Sequence, residues 1–270
     1  MTVARSRLAG EFHVNSTRQF RTPLPRPTRR FGKRSAVPPE VRRTTLVCLP
    51  FAGAGASFFR PWSRLNDSLE ILPLQLPGRE KLIDTAPYRE AGEATEGLFQ
   101  ALVEQLGETR RLALFGHSLG AVLAYELAHR VTAAPDLELL RLFVSGSPEP
   151  GTQRPRRATG LPDDAFLDRV TEFAGYSHEA LDDPEMREMI LPTLRADVEL
   201  HENYTPSTHQ RLDAPVTSIR GTDDTLVGSD DAAGWAEVAG RDFEYVEIPG
   251  GHMYLTDRAP ALLRLIAGSL

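Results

Sequence analysis

Five residues, Gly116-His117-Ser118-Leu119-Gly120, join an unbroken apolar run, Leu112-Ala113-Leu114-Phe115, to a helical pattern over 119–131. A continuous apolar run suits a central strand covered on both faces. When such a strand passes through one tight turn into a helix, the turn residue stands above the end of the sheet. There the free N–H groups and the dipole of the helix favour negative charge. The turn is crowded, so its flanks must be small, and glycine occupies both. A parallel sheet backed by a helix provides that junction, and a serine at its tip is placed as a nucleophile.

The rest of the chain agrees. From Thr44 onward, short β-rich runs at 44–49, 70–76, 112–115, 140–145, 216–220 and 243–248 alternate with helical patterns near 58–66, 89–106, 119–131, 231–238 and 260–267. That alternation marks βαβ units, and 270 residues suit one such domain. The expected class is α/β: the α/β-hydrolase fold, a mostly parallel central sheet flanked by helices. One stretch, 148–204, carries helical patterns without a strand. Asp163-Asp164 is placed to cap a helix bearing Phe166, Leu167, Val170 and Phe173. Asp182-Asp183-Pro184 is placed to start another bearing Met186, Met189, Ile190 and Leu194. A helical insertion between late strands lies over the strand C-termini, where ligands bind, and reads as a lid.

Charge divides the chain. Residues 1–43 hold eleven Lys/Arg against two Glu, whereas the remainder holds twenty Lys/Arg against thirty-five Asp/Glu. The basic segment, rich in Pro and Arg, has little hydrophobic periodicity and is expected to be a disordered extension of the 44–270 domain. The acidic body argues against nucleic acid as a partner of the folded domain. No stretch approaches the roughly 18 consecutive apolar residues of a membrane span. The one cysteine, Cys48, lies in an apolar strand pattern, and no secretory signal is read, so a cytoplasmic protein is expected. Gly53 and Gly55 do not form a phosphate loop, because the Lys-Ser/Thr that completes one is missing.

A serine hydroxyl needs a base to take its proton and a third group to orient that base. In this fold the chain order is Ser, then Asp or Glu, then His. His252, in Pro249-Gly250-Gly251-His252-Met253, follows the last strand on a glycine-rich loop. His178, His201 and His209 fall in or near the lid, and no metal-ligand spacing is present. Two aspartates, Asp223 and Asp224, follow the strand 216–220, and the Gly-x-x-Asp pattern from Gly221 selects Asp224. Asp230 and Asp231 read as caps of the next helix. The oxyanion needs two backbone donors. The N–H of Leu119 is one, and the loop Pro50-Phe51-Ala52-Gly53-Ala54-Gly55-Ala56 supplies the other, through Ala52 or its neighbour Phe51.

These stretches, together with Leu76-Pro77-Gly78-Arg79-Glu80, occur in the order seen in type II thioesterases, which residues 44–270 resemble. Those are discrete editing enzymes of polyketide and nonribosomal peptide synthesis. The resemblance implies hydrolysis of aberrant or stalled acyl groups from the phosphopantetheine thiol of an acyl or peptidyl carrier protein, without a cofactor or metal. It implies Ser118 as nucleophile, His252 as base, Asp224 as its partner, and the Ala52 and Leu119 amides as the oxyanion hole. Phe51 and Met253 stand where the family often has Tyr and an aromatic residue, so both bear on acyl-chain preference as substrate-binding positions. Arg79 reads either as a phosphate or carrier contact or as a structural arginine pairing Glu80 or a loop carbonyl. No membrane partner is expected, and a monomer is the expected state. A general serine esterase or acyltransferase on small substrates would use the same three residues. A synthase-terminal thioesterase and a non-catalytic binding module are further alternatives, the last disfavoured by an intact triad.

Overall fold

The computed structural model describes residues 43–152, 157–174, 181 and 183–270, so nearly all of the basic segment lies outside the described residues. Among the described residues six strands pair in parallel: β1 (Thr44–Leu49), β2 (Leu69–Pro73), β3 (Arg111–His117), β4 (Glu138–Ser145), β5 (Val216–Gly221) and β6 (Phe243–Ile248). Their order is β2-β1-β3-β4-β5-β6. Alternation along the strands divides the side chains between two cores. Val47, Leu49, Leu112 and Leu114 face α1 (Ala91–Leu106) and α2 (Leu119–Ala133). Leu46, Cys48, Ala113 and Phe115 face the opposite side, against Phe59, Trp62 and α6 (Leu255–Gly268). Cys48 is fully buried, and burial pushes its thiol well above the usual range.

Several boundaries differ from the sequence expectation, each for a local reason. β2 stops at Pro73 rather than at residue 76: its last bond to β1 is the Leu74 N–H to the Cys48 carbonyl at 3.0 Å, and Pro73 is tolerated because its nitrogen faces the open side of this edge strand. The expected helix at 58–66 is a 3₁₀ segment, Ala56–Arg64, in which Phe59 and Trp62, three residues apart, share the buried side. The 231–238 helix divides into α5 (Ser229–Ala233) and a 3₁₀ turn, Gly234–Glu237, and Asp231 accepts the Gly228 N–H at 3.0 Å. α6 begins five residues before the expected Pro260. An interior proline costs about 3 kcal/mol. Burying Leu255, Leu262, Leu263 and Ile266 at about 1.5–3 kcal/mol each outweighs it.

Between β4 and β5 the described residues form two helices, α3 (Asp163–Ala174) and α4 (Pro184–Asn203). Asp183 caps α4, accepting the N–H groups of Glu185 and Met186 at 2.9 and 3.1 Å. The face that α4 buries is only partly the expected one, since of the expected stripe Leu194 is buried and Ile190 half-buried. Met186 and Met189 are 40% and 57% exposed, while Leu191, Leu194 and Val198 pack with Ala158 and Phe166 into a small third core. The side chains of Phe173, His178 and Asp182 lie outside the described residues. Among the described residues no helix is long and apolar enough to cross a membrane.

The tightest contact lies where β3 meets α2. A Cβ on Gly116 would sit 1.9 Å from the Gly120 carbonyl oxygen, and one on Gly120 would sit 2.4 Å from the Leu49 carbonyl oxygen. Neither neighbour is a side chain that can swing away. Gly120→Ala is therefore expected to cost at least about 3 kcal/mol and to lower the thermal midpoint sharply, measured by circular dichroism melting against wild type.

Candidate active site

β1 lies between β2 and β3, so the chain changes direction along the sheet there, and the loops after β1 and β3 diverge to leave a crevice. Ser118 occupies the tip of the β3–α2 turn with φ 52° and ψ −117°, a conformation L-residues rarely adopt and one that costs about 1–3 kcal/mol. The two glycine contacts impose it, and the Ser118 N–H donates to the Ser145 carbonyl at 2.8 Å. Leu119 opens α2 directly behind the serine.

His252 follows β6, and its Nδ1 lies 2.8 Å from Asp224 Oδ2. The other carboxylate oxygen accepts the N–H groups of Leu226 and Val227 at 2.8 and 3.1 Å. Burial alone would raise the Asp224 carboxyl. The hydrogen bond and charge of His252, with the two backbone donors, outweigh burial and hold it below its ordinary value. Asp223, the competing candidate, is exposed on the turn. The sequence choice between the two is thus decided by burial: only Asp224 reaches the imidazole.

A second chain of polar groups supports His252 from behind. The buried His117 ring lies 4.8 Å from the His252 ring, centroid to centroid. Its Nδ1 is 2.8 Å from Ser145 Oγ, which is 2.6 Å from the Tyr254 hydroxyl. Burial drives the Tyr254 hydroxyl upward, partly opposed by its bond to Ser145, and the Asp224 charge adds to the rise, so Tyr254 remains a phenol. Ser145 thus fixes the serine's amide through its carbonyl and His117 through its hydroxyl. No motif marks Ser145 or Tyr254: the first ends an ordinary apolar strand pattern, and the second lies just past the His252 loop.

One cavity brings together Ser118, His252, Phe51, Ala52, Leu226 and Met253 with Val170, Leu194, Val198, His201 and Glu202 of the insertion. Phe51, Ala52, Val170, Leu194 and Met253 also line an adjoining groove, completed by residues that include Ser57, Phe58, Leu181 and Ile190. His201, set aside in the sequence as an insertion residue without a placement, therefore lies at the cavity. His209 is exposed elsewhere. Glu202 is buried and accepts the Ala158 and Thr159 N–H groups at 2.6 and 2.9 Å.

Arg79 is buried and does not pair Glu80, whose carboxylate instead accepts the Ser57 N–H at 3.0 Å. It forms a two-pronged ion pair with Asp197 of α4, at 2.6 and 2.7 Å, and donates to the Ala54 and Pro77 carbonyls at 3.0 and 3.2 Å. The loop-carbonyl reading of Arg79 stands, the Glu80 pairing is corrected, and a buried guanidinium with these partners is not a surface contact. Removing one member of such a buried pair typically costs about 3–5 kcal/mol.

A parallel sheet, a serine on a strained strand–helix turn and an imidazole–carboxylate pair at the same cavity define a serine hydrolase of the α/β-hydrolase fold. The profile of the thioesterase domain family matches residues 44–270. Over 214 residues the chain is 35% identical to thioesterase PikA5 of Streptomyces venezuelae, spanning 79% of this chain and 76% of that protein. It superposes on RedJ, a thioesterase of the prodiginine pathway in Streptomyces coelicolor, with a TM-score of 0.75 and 31% identity, covering 84% of this chain and 85% of that one. BorB, a type II thioesterase from the borrelidin biosynthetic cluster, superposes with a TM-score of 0.71 and 32% identity, covering 84% and 91%. The chain belongs to the thioesterase domain family and is an enzyme that hydrolyses thioesters.

Two outcomes check the site. Asp224→Asn turns an acceptor into an amide donor beside Nδ1 and is expected to lower kcat by about 10³–10⁴-fold, whereas Asp223→Asn leaves turnover near wild type in the same steady-state assay. Asp224 also carries a pH signature. Its folded carboxyl sits below the ordinary 3.8, so its stabilisation is complete above that value and is lost as pH falls through the depressed one. Melting temperatures from pH 7 down to pH 2 should therefore fall less steeply for Asp224→Asn than for wild type.

Proposed function

We propose that this enzyme hydrolyses acyl thioesters carried on the phosphopantetheine arm of acyl or peptidyl carrier proteins, clearing aberrant or stalled acyl groups during polyketide or nonribosomal peptide synthesis. The observation that carries the reading is the cavity itself: Ser118 and the Asp224-held His252 open onto an apolar wall of Val170, Leu194 and Val198. An acyl chain fits that wall. The narrow pantetheine arm suits the adjoining groove, and Phe51, Met253, Val170 and Leu194 line both.

In this reading Ser118 Oγ attacks the thioester carbonyl carbon while its proton passes to His252 Nε2. Asp224 stabilises the imidazolium and keeps its Nδ1 proton in place. The amides of Leu119 and Ala52 receive the oxyanion. The C–S bond then breaks, and His252 returns the proton to the departing sulfur. A thiol needs less protonation to leave than an amine, so the imidazolium suffices. Water next gives its proton to His252 and attacks the acyl-Ser118 ester through a second oxyanion, releasing the acid and restoring the serine. The three side chains and two amides supply every proton and charge these steps require, so the reading calls on no cofactor. It places the enzyme in the cytoplasm with its carrier proteins, acting as a monomer.

The test is acid release from an acetyl- or propionyl-loaded carrier protein. Wild type is expected to turn over the carrier thioester faster than a simple ester of the same acid, and Ser118→Ala to lower the rate by at least about a thousandfold. Ester cleavage with no preference for the carrier would move the function to a general esterase. Turnover that survives Ser118→Ala would remove the nucleophile assignment.

Val198 lines the cavity at Ser118 and not the adjoining groove. Val198→Ala should shift the chain-length profile of kcat/KM toward longer acyl groups, and an unchanged profile would exclude that wall as the acyl site.

A further inference from the structure

The loop after β1 has no regular structure, yet the proposed function needs one of its amides, that of Ala52, to stay aimed at a developing charge. The loop closes on itself only once, through the Ala54 N–H to the Phe51 carbonyl at 2.9 Å. Its remaining restraints come from far along the chain. Asp197 Oδ2 accepts the Gly53 N–H at 2.8 Å, and the same oxygen accepts Arg79 Nη1 at 2.6 Å. Arg79 Nη1 also donates to the Ala54 carbonyl at 3.0 Å. The turn is therefore held at two successive residues, immediately after Ala52, by one buried ion pair. Leu194, a turn earlier on α4, packs against the same place: a Cβ on Gly53 would lie 3.2 Å from its Cδ1. Thr193 secures the other loop, donating its hydroxyl to the Gly78 carbonyl at 2.8 Å.

We infer that Arg79 and Asp197 are positioning residues for the oxyanion hole: the insertion helix α4 holds the Ala52 amide in register through the Gly53 N–H and the Ala54 carbonyl. Neither residue touches the reacting atoms. The inference rests on the proposed role of Ala52. An amide pre-aimed by a rigid support stabilises the oxyanion without reorganising during the reaction, whereas a loop free to turn loses that advantage. The pair should thus act on the tetrahedral state and leave ground-state binding alone.

Two probes separate those states on the full-length chain. One is S-trifluoroacetonyl pantetheine, whose ketone forms a tetrahedral oxyanion with the active serine. The other is the butyryl amide of aminopantetheine, the same arm with nitrogen in place of sulfur, which stays trigonal. In Asp197→Asn the ketone is expected to bind about 30- to 300-fold more weakly, with kcat lowered by a matching factor, while amide affinity and KM stay at wild type. The doubly neutral Arg79→Gln/Asp197→Asn variant leaves no unpaired buried charge and carries the same expectation should the single variant fold poorly. Equal loss for both probes, a change confined to KM, or failure of both variants to fold would assign the pair to stability alone and overturn the inference. Weak ketone binding by wild type itself, no tighter than by Ser118→Ala, would instead remove the oxyanion-hole reading on which it rests.

Discussion

Gly120 packed on the carbonyl oxygens that end β1 is the contact from which the site hangs. It brings the N-terminus of α2 down onto the neighbouring strand, leaves Ser118 no conformation but a left-handed one, and so sets the serine above the sheet. The free-energy cost of that backbone is small beside the burial around it: α2 is enclosed along most of its length, and both faces of β3 are covered. Strain at one residue is sustainable because the surrounding core determines it several times over.

The parts of the site that read directly from sequence are those whose geometry is local. Ser118 needed only a strand, a turn and a helix in succession, and His252 only a glycine-rich loop after the last strand. Asp224 was nearly local; its rival Asp223 differs by one position, the Gly-x-x-Asp pattern favours Asp224, and the buried contact to His252 falls on the same residue. Of the expected stripe of Met186, Met189, Ile190 and Leu194, Leu194 joins the core while the two methionines are exposed, because helical periodicity finds apolar rows without saying where the partner surface begins. The buried row starts at Leu191 and carries on to Val198, dictated by Phe166 and Ala158 on another element. Arg79 shows the same limit more sharply. Its partner Asp197 lies 118 residues away, and the nearer Glu80 was the natural guess from sequence alone.

Ser145 is a different kind of omission. A serine at the end of a buried strand is unremarkable by composition, yet its carbonyl and hydroxyl join the Ser118 backbone to His117 and Tyr254. The site therefore has two polar tiers: the Asp224–His252 pair at the cavity and a buried chain beneath it. The lower tier orders the ring against which His252 rests and keeps that side of the imidazole away from water.

The bond from Asp197 to Gly53 makes the insertion part of the scaffold, although it sits between two strands like an exchangeable cassette. A chimera that borrows 148–204 from a relative with another acyl preference keeps that bond, and the partner of Arg79, only where the borrowed helix carries a carboxylate at position 197. Three stretches that are distant in the chain meet at that one carboxylate, and recombination between thioesterases should respect it. Diversity in substrate choice is then expected to arise by point changes along the inner wall of α3 and α4 more readily than by exchange of the whole insertion.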